Sequence, residues 1–179
     1  STVITLQQDS LSAVKARARR LTLMAFDVDG VLTDGSLYFA DDGSEMKAFN
    51  TQDGAGLKLL QRAGIQVAIL TGRKALCVEK RMQNLEIDLL FQGVTNKLET
   101  MQGLLAQQGL NAEEAGFMGD DLIDPQVMAA CGFSAAPADA HALAKRHARL
   151  ITNKPGGCGA AREVCEFILE AQGKLEATF

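Results

Sequence analysis

The sequence predicts an α/β domain: a mostly parallel central sheet with helices on both faces, and a β-hairpin projecting after the first strand. Two observations carry this reading. Short apolar runs alternate with helical patterns along the 179 residues, the signature of βαβ units whose sheet is covered on both sides. One stretch, "SLYFADDGSEMKAF", breaks the alternation with two β-like arms around Asp42-Gly43, which is hairpin chemistry.

In chain order, residues 7–20 read as a polar helix rich in Arg and Lys, and Leu21–Phe26 as the first strand. The hairpin occupies about 36–49. Further strands are expected at Ile65–Leu70, Leu89–Phe91, Ala115–Met118, Phe133–Ala136 and Leu150–Thr152. Helical spacing of apolar residues marks about 55–63, 74–85, 97–108, 125–131, 139–148 and 160–172. No linker or repeat divides the chain, so residues 1–179 are expected to form one domain, with a tail from about 153 that opens on the Gly-rich "KPGGCGA".

Composition narrows the function. A formal charge of −4 with no basic run argues against nucleic acid as a partner. The apolar runs are short and soon interrupted by charge, so no membrane span is expected, and no basic-then-apolar leader opens the chain. Cys77, Cys131, Cys158 and Cys165 match neither a redox pair nor a zinc module; free thiols fit a reducing cytoplasm. The two histidines, His141 and His147, fall in one helix and suit a surface better than a zinc site.

Ligands of an open parallel sheet bind beyond the carboxyl ends of its strands, and there the chemistry gathers. The first strand ends in Asp27 and Asp29, the second in Thr71-Gly72-Arg73, and "AGFM" runs into Gly119-Asp120-Asp121 with Asp124 just beyond. Lys97 opens the helix before that strand. Asp27 and Asp120 are hard oxygen ligands suited to Mg²⁺. Lys97 and Thr71 suit the oxygens of a phosphoryl group.

These residues carry a resemblance. "DVDGVLTDG", "ILTGR", Lys97 and "GDDLID" match in order the four motifs of the haloacid dehalogenase (HAD) phosphatase superfamily. The wider wording, "FNTQDGAGLKLL", "LTGRKA", "QGVTNKLE" and "AREVCEFILEAQGKL", is similar to a branch acting on an eight-carbon acidic sugar 8-phosphate for lipopolysaccharide synthesis. The resemblance implies a Rossmann-like three-layer fold. It implies Asp27 as the nucleophile that becomes an aspartyl phosphate, and Asp29 as acid and then base. Mg²⁺ would be held by Asp27, the Asp29 main-chain carbonyl and Asp120, and the phosphoryl group by Thr71 and Lys97. Asp121 and Asp124 would orient Lys97 or the metal's waters, while a helix N-cap before Pro125 is an equal reading of Asp124. Arg73 and Arg81, with Asn50, Asp53 and Lys74 nearby, match positions that resemble substrate contacts.

Asp29 to Thr71 spans 42 positions and Thr71 to Lys97 spans 26, too few for the cap domain that many members insert. A capless site is open to water, and the resemblance implies a homotetramer, built through the hairpin, whose neighbouring subunits supply cover. The loop 155–159 either reaches a neighbour's site or simply connects to the last helix. Cys158 stands where a basic residue is expected. Two other functions are alternatives: a phosphatase for a nine-carbon acidic sugar 9-phosphate, and an idle HAD domain used for assembly or regulation. The presence of Asp27, Asp29 and Lys97 speaks against the second. A receiver domain of the signalling type is excluded by the order of its acids, Thr and Lys.

Overall fold

The computed structural model describes residue 6 and residues 9–176; residues 7 and 8 of the expected first helix, and 177–179 of the tail, lie outside the described residues. Six parallel strands form the sheet: β1 (Leu23–Phe26), β4 (Gln66–Leu70), β5 (Leu89–Phe91), β6 (Ala115–Met118), β7 (Phe133–Ala136) and β8 (Leu150–Ile151), in the order β5-β4-β1-β6-β7-β8. β2 (Tyr38–Phe39) and β3 (Glu45–Met46) pair antiparallel as the expected hairpin. At its tip Gly43 has φ +86°, and the Asp42 carboxylate accepts from the Ser44 amide and hydroxyl.

The two-residue period of each strand sorts its side chains between two cores. Met24 and Phe26 of β1, with Val67 and Ile69 of β4, pack beneath α1 (Leu11–Arg19), α2 (Thr51–Arg62), α3 (Leu76–Asn84) and α7 (Ala160–Ala171). Leu23, Ala25, Ala68, Leu70 and Phe117 pack on the other face beneath α4 (Lys97–Gln108), α5 (Pro125–Ala130) and α6 (Ala142–His147). The result is the expected three-layer α/β fold. Among the described residues no helix is long and apolar enough to cross a membrane, and all four cysteines are free.

α2 corrects the sequence reading. It starts at Thr51, capped by Asn50, whose side chain accepts from the Asp53 amide. Gly54 and Gly56 lower the helical propensity of its first turns, which hid the true start. Both glycines make room for neighbours: a Cβ on Gly56 would sit 3.2 Å from that of Cys165 on α7.

This topology positions the site. β1 lies centrally, with Phe26 in register with Ile69 of β4 on one side and Met118 of β6 on the other. The residues just past these strand ends therefore converge. Helices cross to the opposite face between the β4 and β6 connections, so a crevice opens at the strand carboxyl ends.

Candidate active site

Asp27 leaves β1 and is nearly buried, its amide donating to the Met118 carbonyl at 3.1 Å. Its Oδ1 accepts from the Val28 amide at 2.7 Å, and its Oδ2 faces Lys97 Nζ at 2.8 Å. Lys97, the first residue of α4 behind the Asn96 cap, is itself buried and reaches Asp124 Oδ1 at 2.6 Å. It also lies over the Phe117 ring at 5.5 Å, an added source of cation stabilisation.

Asp124 meets both Lys97 and the start of α5. It takes the N-cap position before Pro125 but makes no side-chain cap bond to α5. Its carboxylate is fully buried, with Oδ1 on Lys97 and Oδ2 accepting from the Asp120 and Asp121 amides at 2.9 and 3.0 Å. Asp121, by contrast, is exposed and its Oδ1 accepts from the Leu122 amide, and the ion pairs of Lys97 are with Asp27 and Asp124.

Asp120 completes the acidic cluster. One oxygen each of Asp27, Asp120 and Asp124 lie within 4.8 Å of one another. Asp120 Oδ1 is buried without a hydrogen-bond partner among the described residues. Gly30, at φ +83°, is required here, because a Cβ would overlap the Asp120 carboxylate. Thr33 knits the same loop, its buried hydroxyl accepting from the Gly30 and Gly35 amides.

Burial dominates the electrostatics. It pushes Asp27 up to about 6, further raised by Asp124 and opposed by Lys97. Asp120 is pushed up to about 8, first by burial and then by repulsion from Asp27, Asp124 and Asp121. For Lys97 burial disfavours the charge, but Asp27 and Asp124 outweigh it and raise the pKa. A crevice of about 270 Å³ fronts this cluster, with Asp29, Thr71 and Arg73 among its walls. Thr71 is buried at the end of β4, its amide donating to the Phe91 carbonyl.

Other expected contacts lie elsewhere in the chain. Asn50 caps α2, and Asp53 is buried with its carboxylate accepting from the Arg162 amide at the start of α7. Arg81 lies over the Phe49 ring and lines a separate small hollow with Asn50 and Asp53. Lys74 is exposed beside Arg73. The sequence reading missed Lys47 and Glu45. Lys47 Nζ is 2.5 Å from Asp29 Oδ1 with its side chain fully buried, and Glu45 bonds the Arg73 guanidinium. Their alternation around exposed Met46 was the available signal: a strand places 45 and 47 on one face.

No protein-family model matches the chain, but individual proteins do. It is 47% identical over 163 residues to the 3-deoxy-D-manno-octulosonate 8-phosphate phosphatase KdsC of Escherichia coli, covering 91% of this chain and 87% of that one. The crystal structure of a probable YrbI family phosphatase from Pseudomonas syringae is 49% identical, with a TM-score of 0.90 over 92% of this chain and 94% of that one. The Moraxella catarrhalis 3-deoxy-D-manno-octulosonate 8-phosphate phosphatase, solved with magnesium, phosphate and KDO, is 38% identical, with a TM-score of 0.92 over 94% of this chain and 97% of that one. A Legionella pneumophila structure of the HAD superfamily, subfamily III A, superposes with a TM-score of 0.92 at 39% identity, covering 94% of this chain and 92% of that one. With the acidic cluster, the buried lysine and the sheet order in place, these likenesses make the chain a member of the 3-deoxy-D-manno-octulosonate 8-phosphate phosphatase family of HAD hydrolases.

Proposed function

We propose that this chain is a Mg²⁺-dependent phosphatase that converts 3-deoxy-D-manno-octulosonate 8-phosphate (KDO 8-phosphate) to KDO and phosphate. The reading places it in the cytoplasm, in the supply of lipopolysaccharide precursors. The observation that carries it is the buried Asp27–Lys97–Asp124 chain beside the unpartnered Asp120 oxygen. A nucleophile, a fixed cation and a hard oxygen ligand meet at one crevice.

The donor set fits Mg²⁺. Asp120 Oδ1 is buried with no hydrogen-bond partner among the described residues, and it would hold the ion together with Asp27 and the Asp29 carbonyl, while Asp124 is bound to Lys97 and two amides. Bound there, Mg²⁺ supplies positive charge that screens the acids from one another and from the phosphoryl oxygens.

The chain's own groups perform the transfer. An Asp27 oxygen attacks phosphorus, the P–O bond to the sugar breaks, and Asp29 gives its proton to the departing oxygen. Asp29 then takes a proton from water as that water's oxygen bonds phosphorus and the Asp27–P bond breaks. Lys97 and Thr71 hold phosphoryl oxygens through both steps. Burial raises the Asp27 pKa, and the Lys97 ammonium 2.8 Å from Oδ2 opposes it, favouring the ionised form that attacks. Arg73, half-exposed at the crevice wall, is placed to meet the sugar carboxylate.

The crevice is open, and the hairpin exposes Leu37, Tyr38, Phe39 and Met46, the last two at 62 and 59%. These exposed apolar side chains support a homotetramer in which neighbouring subunits cover each site. The test of function is phosphate release, with Mg²⁺, from KDO 8-phosphate and from a nine-carbon acidic sugar 9-phosphate. Turnover of the first, abolished in Asp27→Asn, is expected. Preference for the second moves the substrate, and release by Asp27→Asn at the wild-type rate refutes the mechanism.

A further inference from the structure

Lysine is almost never fully buried unless paired, and the Lys47 side chain is buried beside the crevice-lining Asp29, although the residue as a whole is only partly so. Its ammonium lies 2.5 Å from Asp29 Oδ1 and 3.4 Å from Glu45 Oε2. Glu45 also bonds the Arg73 guanidinium, and Arg73 Nε lies 3.9 Å from Asp29 Oδ2. Four side chains thus close a ring of alternating charge: Asp29, Lys47, Glu45, Arg73. Burial alone would raise Glu45, but its bonds to Arg73 and Lys47 hold its pKa below the ordinary value; it stays an anion between the two cations.

The ring treats the two oxygens of Asp29 unequally. Oδ1 carries a short, charge-assisted bond to a lysine whose side chain is buried. Oδ2 faces the longer and more exposed Arg73 contact. A charge-assisted bond fixes both place and orientation of a carboxylate, and proton transfer needs its oxygen within hydrogen-bond reach of the reacting atom. We infer that Lys47 is a positioning residue of the hydrolysis, holding Asp29 by Oδ1 so that Oδ2 is the oxygen that gives and retrieves the proton. Because Lys47 follows β3 directly, the hairpin becomes part of the catalytic apparatus. The inference rests on Asp29 as acid and base, as set out above.

The experiment exploits leaving-group chemistry. A sugar alkoxide must be protonated as it departs, whereas p-nitrophenolate leaves without help. Lys47→Met, which keeps the apolar stem, is compared with Lys47→Arg, Asp29→Asn and wild type, each first shown folded by its thermal melt. The readouts are steady-state release from KDO 8-phosphate and the first-turnover burst of p-nitrophenolate from p-nitrophenyl phosphate.

General acid–base groups contribute about 10²–10⁴-fold. Lys47→Met is therefore expected to lower kcat for the sugar phosphate by about 10–100-fold with KM little changed, to keep the burst rate within about twofold, and to be partly rescued by Lys47→Arg. Equal losses on both substrates, a rise in KM alone, or no change in kcat would overturn the assignment to Lys47. If Asp29→Asn itself spares the sugar phosphate as much as the aryl phosphate, the acid–base reading of Asp29 falls, and the role of Lys47 with it. Discrimination by Asp29→Asn but not by Lys47→Met removes Lys47 alone. Should Lys47→Met fail to fold, Lys47→Gln takes its place in the same comparison.

Discussion

Replacing Asp124 by Asn tests the buried lysine most directly. The side chain keeps its shape and loses its charge. In the native site one oxygen meets Lys97 Nζ at 2.6 Å and the other accepts two backbone amides. An asparagine has one acceptor and one donor. Whichever way it turns, its NH₂ faces either the ammonium or the two N–H groups, and donor meets donor. Both partners are almost wholly buried, so little solvent relieves the loss. Breaking one side of such a buried pair costs about 3–5 kcal/mol, because Lys97 keeps its charge and loses one of two counter-ions. Asp124→Asn is therefore expected to lower the urea midpoint by an amount equivalent to about 3 kcal/mol or more at unchanged m. It should also reduce phosphate release by about 10²–10³-fold, the usual consequence of losing one preorganised donor to developing charge. Destabilisation under about 1 kcal/mol together with near wild-type turnover would refute the claim that Asp124 sets the position and charge of Lys97.

The raised acids predict how pH acts on the metal-free protein. Asp27 and Asp120 move from 3.8 to about 6 and about 8, so between pH 4 and 8 the folded chain binds more protons than the unfolded one, and stability falls as pH rises. Metal-free melting temperatures should decline over that window, and Mg²⁺ should reverse the decline; a melting temperature that rises from pH 5 to 8 without metal contradicts the assignment. Mg²⁺ must displace the same protons, so its affinity should rise by about tenfold per pH unit for each proton released, measured by calorimetry in buffers of different ionisation enthalpy. For the assembly, Phe39→Asp places a charge in the exposed hairpin row. Sedimentation velocity is expected to show smaller species than wild type, and an unchanged boundary would exclude the hairpin from the interface.

The strands were legible because their apolar runs end abruptly in Asp, Thr-Gly or Gly-Asp, and strand carboxyl ends with such residues define both register and site. Asp27, Thr71, Lys97, Asp120 and Asp124 could be read together for that reason. The substrate-facing residues were harder. Asn50 and Asp53 sit at the start of a helix whose glycines obscured its boundary, and there they cap α2 and α7. Lys47 and Glu45 carried a two-residue pattern, but nothing local says that the hairpin folds back onto Asp29. Loop direction is a tertiary property, and a two-residue strand has too little sequence to encode it.

The turn from Pro155 to Gly159 has a consequence for how the molecule is made. Gly157 donates its amide to the Val31 carbonyl at 3.0 Å, and a Cβ on Gly156 would overlap the carbonyl oxygen of Gly30. The loop that follows β1 is thus braced by backbone from the far end of the chain. During synthesis β1, β4 and β6, with the acids that follow them, emerge before this turn, which comes after β8. A chain made only as far as β8 carries every acid of the cluster yet lacks the backbone that packs on Gly30, so the sheet alone does not complete the loop that follows β1.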